Sequence, residues 1–315
     1  GDRARGEDGR QGGWGEDLHY TVAAWCQDAS GGGANGADYC VVITDAALEV
    51  ERLKLVGTDD HDKLSFRGPG TKELRALTNG PKLTGELHGL GGRDVLVGSN
   101  RNSTSTYAEK LFGGAGNDRL WGNAGNDELD GGTGNDYLDG GLNDDTLHAG
   151  SGDDVAAGGG AGDIIHGEDG DDDICGDLPA TLPSGDMEDV DWAAPNNAYD
   201  PADWGISCSA STGGEDRIWA GNGNDYAFGG PGEDQVDGGP GIDVIEGGDG
   251  NDQMCDLGIS GDYLDGQDGD DDLFATGNGL GATLDGNGGD HDGCTNKPGL
   301  TRISCERDVS DQCPF

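Results

Sequence analysis

The middle of this chain consists of nine-residue units that follow one another without a gap. The units GGAGNDRLW, GNAGNDELD and GGTGNDYLD open a block that runs from Gly113 to Cys175, and the same period resumes from residue 211 to Cys255. A fixed period constrains the architecture more than any single residue does, so the sequence predicts similar structural units stacked on one another. An Asp recurs at the sixth place of almost every unit, and the chemistry therefore repeats with the architecture.

Each unit divides into a six-residue Gly/Asp/Asn segment and a three-residue segment with an apolar middle residue. Glycine permits positive φ in the first segment, and the second predicts a very short strand whose middle side chain points away from its neighbours. Two units would make one turn of a flattened coil, with strands on two faces, loops along two edges and a thin core. The predicted core residues are Leu120, Leu129, Leu138, Leu147, Ala156, Ile165, Ile174, Ile218, Ala227, Val236, Ile245 and Met254.

The units match the pattern G-G-x-G-x-D-x-U-x and resemble the RTX nonapeptide, a calcium-binding β-roll repeat. Weaker copies lie at residues 57–65, 89–97, 257–265, 266–274, 277–285 and 286–294. The resemblance implies an all-β fold, a right-handed parallel β-roll solenoid. We expect a small N-terminal β cap over residues 1–56, the roll over 57–294 and a disulfide-tied C-terminal cap over 295–315. Insertions at about 66–88, 98–112 and 176–210 would interrupt the roll.

The resemblance also implies the metal and its ligands. In this family each calcium ion lies between loops of adjacent turns and is bound by the sixth-place carboxylate and by glycine-loop carbonyls, the oxygen ligands that Ca²⁺ prefers. Roughly a dozen ions would each remove two negative charges. Ala282 and His291 stand at the sixth place of two late units, where calcium is not expected. The implied ligands are Asp118, Asp127, Asp136, Asp145, Asp154, Asp163, Asp172, Asp216, Asp225, Asp234, Asp243, Asp252, Asp262 and Asp271, with Asp62 and Asp94 in the early copies.

Composition indicates that the chain needs a cation in order to fold. It has 63 acidic and 18 basic residues, a formal charge of −45 and only 32% hydrophobic residues. Such a chain buries too little apolar surface to offset its conformational entropy and charge repulsion. Folding and calcium binding are therefore predicted to be one event. The acidic field argues against a nucleic-acid partner, and no apolar run reaches the roughly 18 residues of a transmembrane segment.

Negative charge is concentrated after residue 110. Residues 1–110 contain 13 Lys/Arg and 17 Asp/Glu, a balance of −4, so −41 of the −45 falls on the remaining residues. No Lys or Arg occurs between Arg119 and Arg217. A nearly neutral head joined to an acidic body is the pattern of a two-part molecule.

The eight cysteines form an even set that indicates disulfides and an oxidising, extracellular compartment. No C-x-x-C pair is present, which argues against metal thiolate sites. Local spacing favours three pairs and leaves one pair by remainder. The pairs are Cys26–Cys40, Cys175–Cys208 and Cys294–Cys305, with Cys255 and Cys313 left over.

The largest interruption, residues 176–210, contains four of the ten prolines together with Trp192, Tyr199 and Trp204. It can be a tolerated surface loop closed by a disulfide. Alternatively its aromatic residues form a contact surface, because Trp and Tyr are enriched among interface anchors.

The sequence carries no enzyme signature. It lacks the H-E-x-x-H and G-x-S-x-G motifs, so we expect no catalytic activity. Two functions from different classes follow. The first is a secreted calcium-binding structural protein that self-associates head to tail into a filament, surface layer or matrix. The second is a calcium-dependent adhesin or carbohydrate-binding module at the cell surface, and a passive calcium-folded carrier is a third reading.

Overall fold

A computed structural model describes most of the repeat region and parts of both ends. The described residues are 25–27, 38–41, 52–56, 62–65, 84–98, 108–177, 208, 213–256, 261–275, 282–288, 291–295, 300–309 and 314. Over these residues the structure consists of strands and loops, and no helix long and apolar enough to cross a bilayer is found there.

The strands form two sheets that alternate along the chain. Sheet A contains, in spatial order, β1 (Trp25–Gln27), β2 (Asp38–Val41), β4 (Asp62–Ser65), β6 (Val95–Val97), β8 (Arg119–Ala124), β10 (Tyr137–Leu142), β12 (Val155–Gly160), β14 (Asp173–Asp177), β16 (Tyr226–Pro231), β18 (Val244–Asp249), β20 (Tyr263–Asp268), β22 (Thr283–Asp285) and β24 (Thr301–Ile303). Sheet B contains β3 (Arg52–Val56), β5 (Thr84–Gly91), β7 (Glu109–Ala115), β9 (Glu128–Thr133), β11 (Thr146–Ser151), β13 (Ile164–Asp169), β15 (Arg217–Asn222), β17 (Gln235–Asp237), β19 (Gln253–Asp256), β21 (Asp272–Ala275), β23 (Gly293–Thr295) and β25 (Arg307–Val309).

Register within each sheet follows the repeat. In sheet A, Leu138 of β10 lies between Leu120 of β8 and Ala156 of β12, in parallel strands two units apart. In sheet B, Leu147 of β11 lies in the same way between Leu129 and Ile165. Each pair of units therefore makes one turn, and the predicted all-β parallel β-roll is confirmed. The first pair, β1 with β2, is antiparallel.

The core is a double column of the eighth-place residues. All twelve predicted core residues are buried, with at most 1% of their surface exposed. Leu87, Leu96 and Leu111 extend the column toward the N-terminus, and Leu264, Leu273 and Leu284 extend it toward the C-terminus. Burying a side chain of this size stabilises by about 1.5–3 kcal/mol, but each turn buries its face only against its neighbours.

Glycine is required where adjacent turns approach most closely. Gly132 has φ +105°, and a Cβ there would lie 2.1 Å from the carbonyl oxygen of Gly114 in the preceding turn. Gly152 has φ +133°, and a Cβ there would lie 2.2 Å from the carbonyl oxygen of Gly134. The turns can stack at the spacing of a parallel sheet because no side chain separates their loops.

The largest interruption leaves the sheets continuous. β13 pairs with β15 and β14 with β16, so Ile165 lies beside Ile218 and Cys175 beside Phe228. Cys175 forms the predicted disulfide with Cys208, which closes the inserted segment at its base. Residues 178–207, including Trp192, Tyr199 and Trp204, lie outside the described residues.

The second predicted disulfide that the structure describes is Cys294–Cys305. The register of β1 and β2 places Cys26 opposite Cys40. Cys255 is disulfide-bonded. The predicted pairing of Cys255 with Cys313 stays a prediction, because Cys313 lies outside the described residues.

Strands also occur in stretches that the sequence predicts to lie outside the regular roll, namely the insertions and the two caps. β5 and β7 take up the last residues of the stretches 66–88 and 98–112. β2 joins β4 in parallel before the roll, while β24 and β25 continue the two sheets after residue 295. The division into head, roll and tail remains a prediction.

The outer face of sheet B carries a column of stacked rings at the ninth place. The rings of His148 and His166 are stacked with centroids 4.8 Å apart, and the ring of His166 stacks on Trp219 at 4.9 Å. Nδ1 of His148 lies 3.2 Å from Oε1 of Glu168. Side chains that the repeat places outward thus contact one another along the sheet.

Candidate metal centres along the two loop edges

The sixth-place aspartates line both edges of the roll. Because successive units alternate between the sheets, successive aspartates alternate between the edges, and all of them are at most 3% exposed. The first edge, which precedes the strands of sheet A, contains Asp94, Asp118, Asp136, Asp154, Asp172, Asp225, Asp243 and Asp262. The second edge, which precedes the strands of sheet B, contains Asp127, Asp145, Asp163, Asp216, Asp234, Asp252, Asp271 and Asp292.

From Asp118 onward, one carboxylate oxygen of each aspartate is used to join adjacent turns. The backbone N–H of Asp118 donates to Oδ1 of Asp136 at 2.7 Å, and that of Asp136 donates to Oδ1 of Asp154 at 2.7 Å. The ladder continues across the insertion, where Asp163 N donates to Oδ1 of Asp216 at 2.6 Å although 53 residues separate them. Hydrogen bonding of this kind fixes the orientation of every carboxylate.

The second carboxylate oxygen is buried and has no hydrogen-bond partner. This holds for Oδ2 of Asp118, Asp127, Asp136, Asp145, Asp154, Asp163, Asp172, Asp216, Asp225, Asp234, Asp243, Asp252, Asp271 and Asp292. A buried anionic oxygen without a partner is costly, and a repeated set of them indicates a ligand that satisfies them together.

The first-place glycine shows where such a ligand fits. A Cβ built on Gly131 would lie 2.7 Å from Oδ2 of Asp136 and 2.4 Å from the carbonyl oxygen of Ala149 in the next turn. The same point at Gly140 lies 2.6 Å from Oδ2 of Asp145 and 2.6 Å from the oxygen of Gly158. Because glycine has no side chain, these two hard oxygens face the same space, and oxygens of this kind are the ligands that Ca²⁺ prefers. We call this convergence point the cradle of the unit.

A model of the RTX calcium-binding nonapeptide repeat, which covers four copies at a time, matches residues 103–138, 112–147, 148–178, 211–245 and 228–255. The repeats are RTX calcium-binding repeats. No curated protein and no solved structure matches the chain.

The RTX cradles are built from this chain's aspartates and loop carbonyls, and the donors fit calcium. A bound ion supplies positive charge between turns that would otherwise repel. Ala149 and Ala220 hold the first place with a methyl group, so the cradles beside Asp154 and Asp225 have less room than the glycine cradles.

Electrostatics agree with a cation at the cradles. Burial, with smaller contributions from neighbouring carboxylates, raises the pKa of Asp127 to about 8, that of Asp136 to about 9 and that of Asp145 to about 10. On the first edge burial raises the pKa of Asp118 to about 6 and that of Asp154 to about 7. Without a cation the second-edge groups with pKa values of about 8 to 10 are mainly protonated at neutral pH, and a bound divalent ion favours their charged form.

The fifth-place residues of the RTX units form a separate surface ladder. Asn135 N donates to Oδ1 of Asn117 at 3.2 Å, Asp153 N to Oδ1 of Asn135 at 3.3 Å, and Asn224 N to Oδ1 of Asp171 at 2.8 Å. These side chains bond to backbone amides at the surface and so stabilise the turns.

The early and late copies differ from the predicted ligand set. The backbone of Asp62 begins β4, and its side chain lies outside the described residues. Asp94 is buried, and its N–H donates to Oδ1 of Asp118 at 2.7 Å. Ala282 occupies its sixth place without a carboxylate.

Asp292 occupies the sixth place of its unit, where the sequence predicts His291, so the predicted ligand set lacks Asp292. Its Oδ1 accepts from Asp271 N at 3.0 Å, while His291 is exposed. Asp292 stands two residues before Cys294, which is the buried core residue of this unit. The sequence shows that Asp292 is the sixth-place residue only once Cys294 is known to be in the core.

Two further buried aspartates lie outside the sixth place. Asp177 occupies the second place, in register with Gly159, and is fully buried. Burial and the charges of Asp216 and Asp234 raise its pKa to about 9. Asp256 occupies a first place, in register with Ala275. Both end strands that contain a disulfide-bonded cysteine, at points where the repeat spacing changes.

Proposed function

We propose that the protein is a secreted calcium-binding structural protein whose RTX roll folds as Ca²⁺ binds and which assembles head to tail into an extracellular filament, surface layer or matrix. The observation that carries the calcium-dependent folding is the double row of buried Oδ2 atoms without hydrogen-bond partners. Ionised carboxylates in such rows repel by about 1–3 kcal/mol per adjacent pair at surface dielectrics. Bound calcium ions replace this repulsion with attraction and so make the folded roll the more stable state.

Secretion is supported by the repeat family and by the disulfides. Cys175–Cys208 and Cys294–Cys305 are bonded, and no free cysteine occurs among the described residues. Disulfides persist in oxidising compartments, where calcium is also available to fill sites of moderate affinity.

Assembly is supported by the way the sheets end. Among the described strands, β24 is the last of sheet A and β25 the last of sheet B, and each has one neighbour. A strand edge presents backbone groups that another strand can pair with. Ile303 on β24 is 44% exposed, so an added charge at this side chain would oppose pairing.

Calcium removal tests the proposal. With excess EGTA the far-ultraviolet circular dichroism should lose its β signal, because the cradles no longer hold their carboxylates, and added calcium should restore it. An unchanged spectrum would contradict calcium-dependent folding. Negative-stain microscopy of the same samples should show filaments only in calcium.

The variant Ile303→Lys should remain monomeric in calcium, since it places a charge on the outer strand. Its matched control is Leu142→Lys, because Leu142 is 51% exposed in the middle of the roll, and this variant should assemble like the parent. If Ile303→Lys also assembles, β24 is not the contact.

The disulfide at the base of the inserted segment favours one alternative, the adhesin or carbohydrate-binding module. The closed segment contains Trp192 and Trp204 in its sequence. Monomers in calcium that bind a glycan array, with binding lost in Trp192→Ala and retained in Trp14→Ala, would favour this alternative over the filament.

A further inference from the structure

One unit of the roll has an acidic residue at its first place. Asp256 ends β19 in register with Ala275, and its neighbour Cys255 pairs with Asp237. In every other described unit of the blocks from 113 to 275, the first place is Gly or Ala. A first-place side chain points toward the sixth-place carboxylate, as the cradle geometry shows, and Asp256 is 2% exposed.

Three carboxylates converge at this unit. One ligand oxygen from each of Asp243, Asp256 and Asp262 lies within 4.8 Å of the others, and all three residues are buried. In the part of the chain that the structure describes, this is the single group of three metal-ligating side chains that close together. Oδ2 of Asp243 has no hydrogen-bond partner and its residue is 1% exposed, so an orphaned anionic oxygen belongs to the group.

The oxygen set differs from that of the ordinary cradles. At Gly229 and Gly247 a Cβ would meet Asp Oδ2 at 2.6 and 2.4 Å and a carbonyl oxygen of the next turn at 2.6 and 2.8 Å. At Gly238 the nearest atoms are Cδ1 of Ile245 at 2.9 Å, Oδ2 of Asp243 at 3.0 Å and Cβ of Asp243 at 3.1 Å, with no carbonyl oxygen among them. Asp256 begins the unit that lies one turn after Gly238.

The carboxylate ladder has its longest described bond at this turn. Asp243 N donates to Oδ1 of Asp262 at 3.3 Å, whereas Asp252 N donates to Oδ1 of Asp271 at 2.9 Å although both pairs are 19 residues apart. The edge is therefore more open beside Asp256 than at the neighbouring turns. A carboxylate on a side chain can reach across a gap that a backbone carbonyl cannot.

We infer that Asp243, Asp256 and Asp262 form a three-carboxylate calcium site that binds its ion more tightly than the ordinary RTX cradles and fills first. The inference rests on the proposed calcium-dependent function. A site that adds a third carboxylate to the set binds a hard cation more strongly because affinity rises with the charge of the ligands. Early filling would secure the roll at the turn where its regular spacing changes.

The test is a calcium titration, against a competing chelator, of the full chain and of two variants, Asp256→Asn and Asp256→Gly. The second variant restores the glycine that the repeat has at this place. Both variants should lose the tightest calcium ion, with its affinity reduced on the order of tenfold or more, while the weaker class remains. Asp249→Asn removes one charge from an exposed position in the preceding unit and should titrate like the parent. Retention of the tightest ion in Asp256→Asn, or its loss in Asp249→Asn, overturns the inference. A parent that binds no calcium instead overturns the proposed function itself.

A second measurement on the native site does not depend on the Asp256 variants folding. Tyr263 directly follows Asp262, and Tyr226 holds the same place after Asp225 in an ordinary unit. Tyrosine-sensitised emission from the first equivalent of Tb³⁺ should fall in Tyr263→Phe and be unchanged in Tyr226→Phe. Equal emission from the parent and Tyr263→Phe would show that the first ion binds elsewhere.

Discussion

The central RTX turns and the C-terminal turns solve the same stacking problem with different cations. Between Arg119 and Arg217 the chain has no Lys or Arg, and the buried carboxylates of its cradles have only one oxygen hydrogen-bonded. At the C-terminal end the protein supplies its own positive charge. Arg307 Nη2 lies 2.5 Å from Oδ1 of Asp272, and Arg302 Nη1 lies 2.5 Å from Oδ1 of Asp308.

The C-terminal end also replaces part of the carboxylate ladder. Asp292 N donates to Oε2 of Glu306 at 2.9 Å, and Cys294 is bonded to Cys305. At Gly286 the Cβ position meets Oδ2 of Asp292 at 2.6 Å, and no carbonyl oxygen is among the three nearest atoms. On the proposed function the central turns depend on an external ion, whereas the C-terminal turns are also tied by guanidinium groups and a disulfide.

The largest difference between the central and the C-terminal turns is expected in how their stability depends on pH when calcium is absent. Buried aspartates have pKa values raised above the unfolded value of about 3.9, for example to about 8 at Asp163 and Asp252. The metal-free roll therefore holds more protons than the unfolded chain, and its stability, present below about pH 4, is lost as pH rises through 6 to 10.

In EGTA, denaturant unfolding should show the central turns most stable at acid pH. In saturating calcium the dependence should reverse, because protons compete with the ion for the same carboxylates. Hydrogen exchange resolved by peptide should place both changes in residues 113–175 and 213–256, with a smaller change at 291–309. Maximal metal-free stability at neutral pH would contradict this account.

A smaller effect is expected from removing one cradle carboxylate in each region. Asp136→Asn keeps an Oδ1 acceptor for Asp118 N and removes the anionic oxygen of a complete cradle. The calcium concentration at half-folding should rise on the order of tenfold. Asp292→Asn makes the same change at an incomplete cradle, so the rise should be roughly twofold. Calcium titrations followed by circular dichroism measure both, and equal shifts would remove the distinction between the regions.

The smallest effect concerns backbone strain within the central turns. Ala161 has φ +96°, which costs an L-residue about 1 kcal/mol or more. Ala161→Gly should therefore raise the free energy of unfolding in calcium by up to about 1 kcal/mol. Ala157→Gly makes the same chemical change at a buried strand position and should lower it by about 0.5–1 kcal/mol. Urea unfolding compares the two, and changes of the same sign would argue against strain at Ala161.

Much of the architecture follows from the nine-residue period. A period that places a glycine loop, an Asp and one apolar residue at constant intervals can satisfy them together only by stacking. Leu138, Leu147 and Ile165 are therefore buried where the pattern places them. The residue type at the sixth place also predicts the metal, because repeated carboxylates beside free loop carbonyls are ligands for a hard cation.

Three features required the folded chain. Oδ1 of each Asp is used by the ladder, which leaves Oδ2 to converge with a carbonyl of another turn, and no local spacing shows that division. The site at Asp256 and the substitution of Asp292 for His291 depend on single-residue shifts in register. A period predicts the position of a side chain only while the period is unbroken. After an extra residue, the pairing of strands between adjacent turns decides which side chain lies at the loop edge.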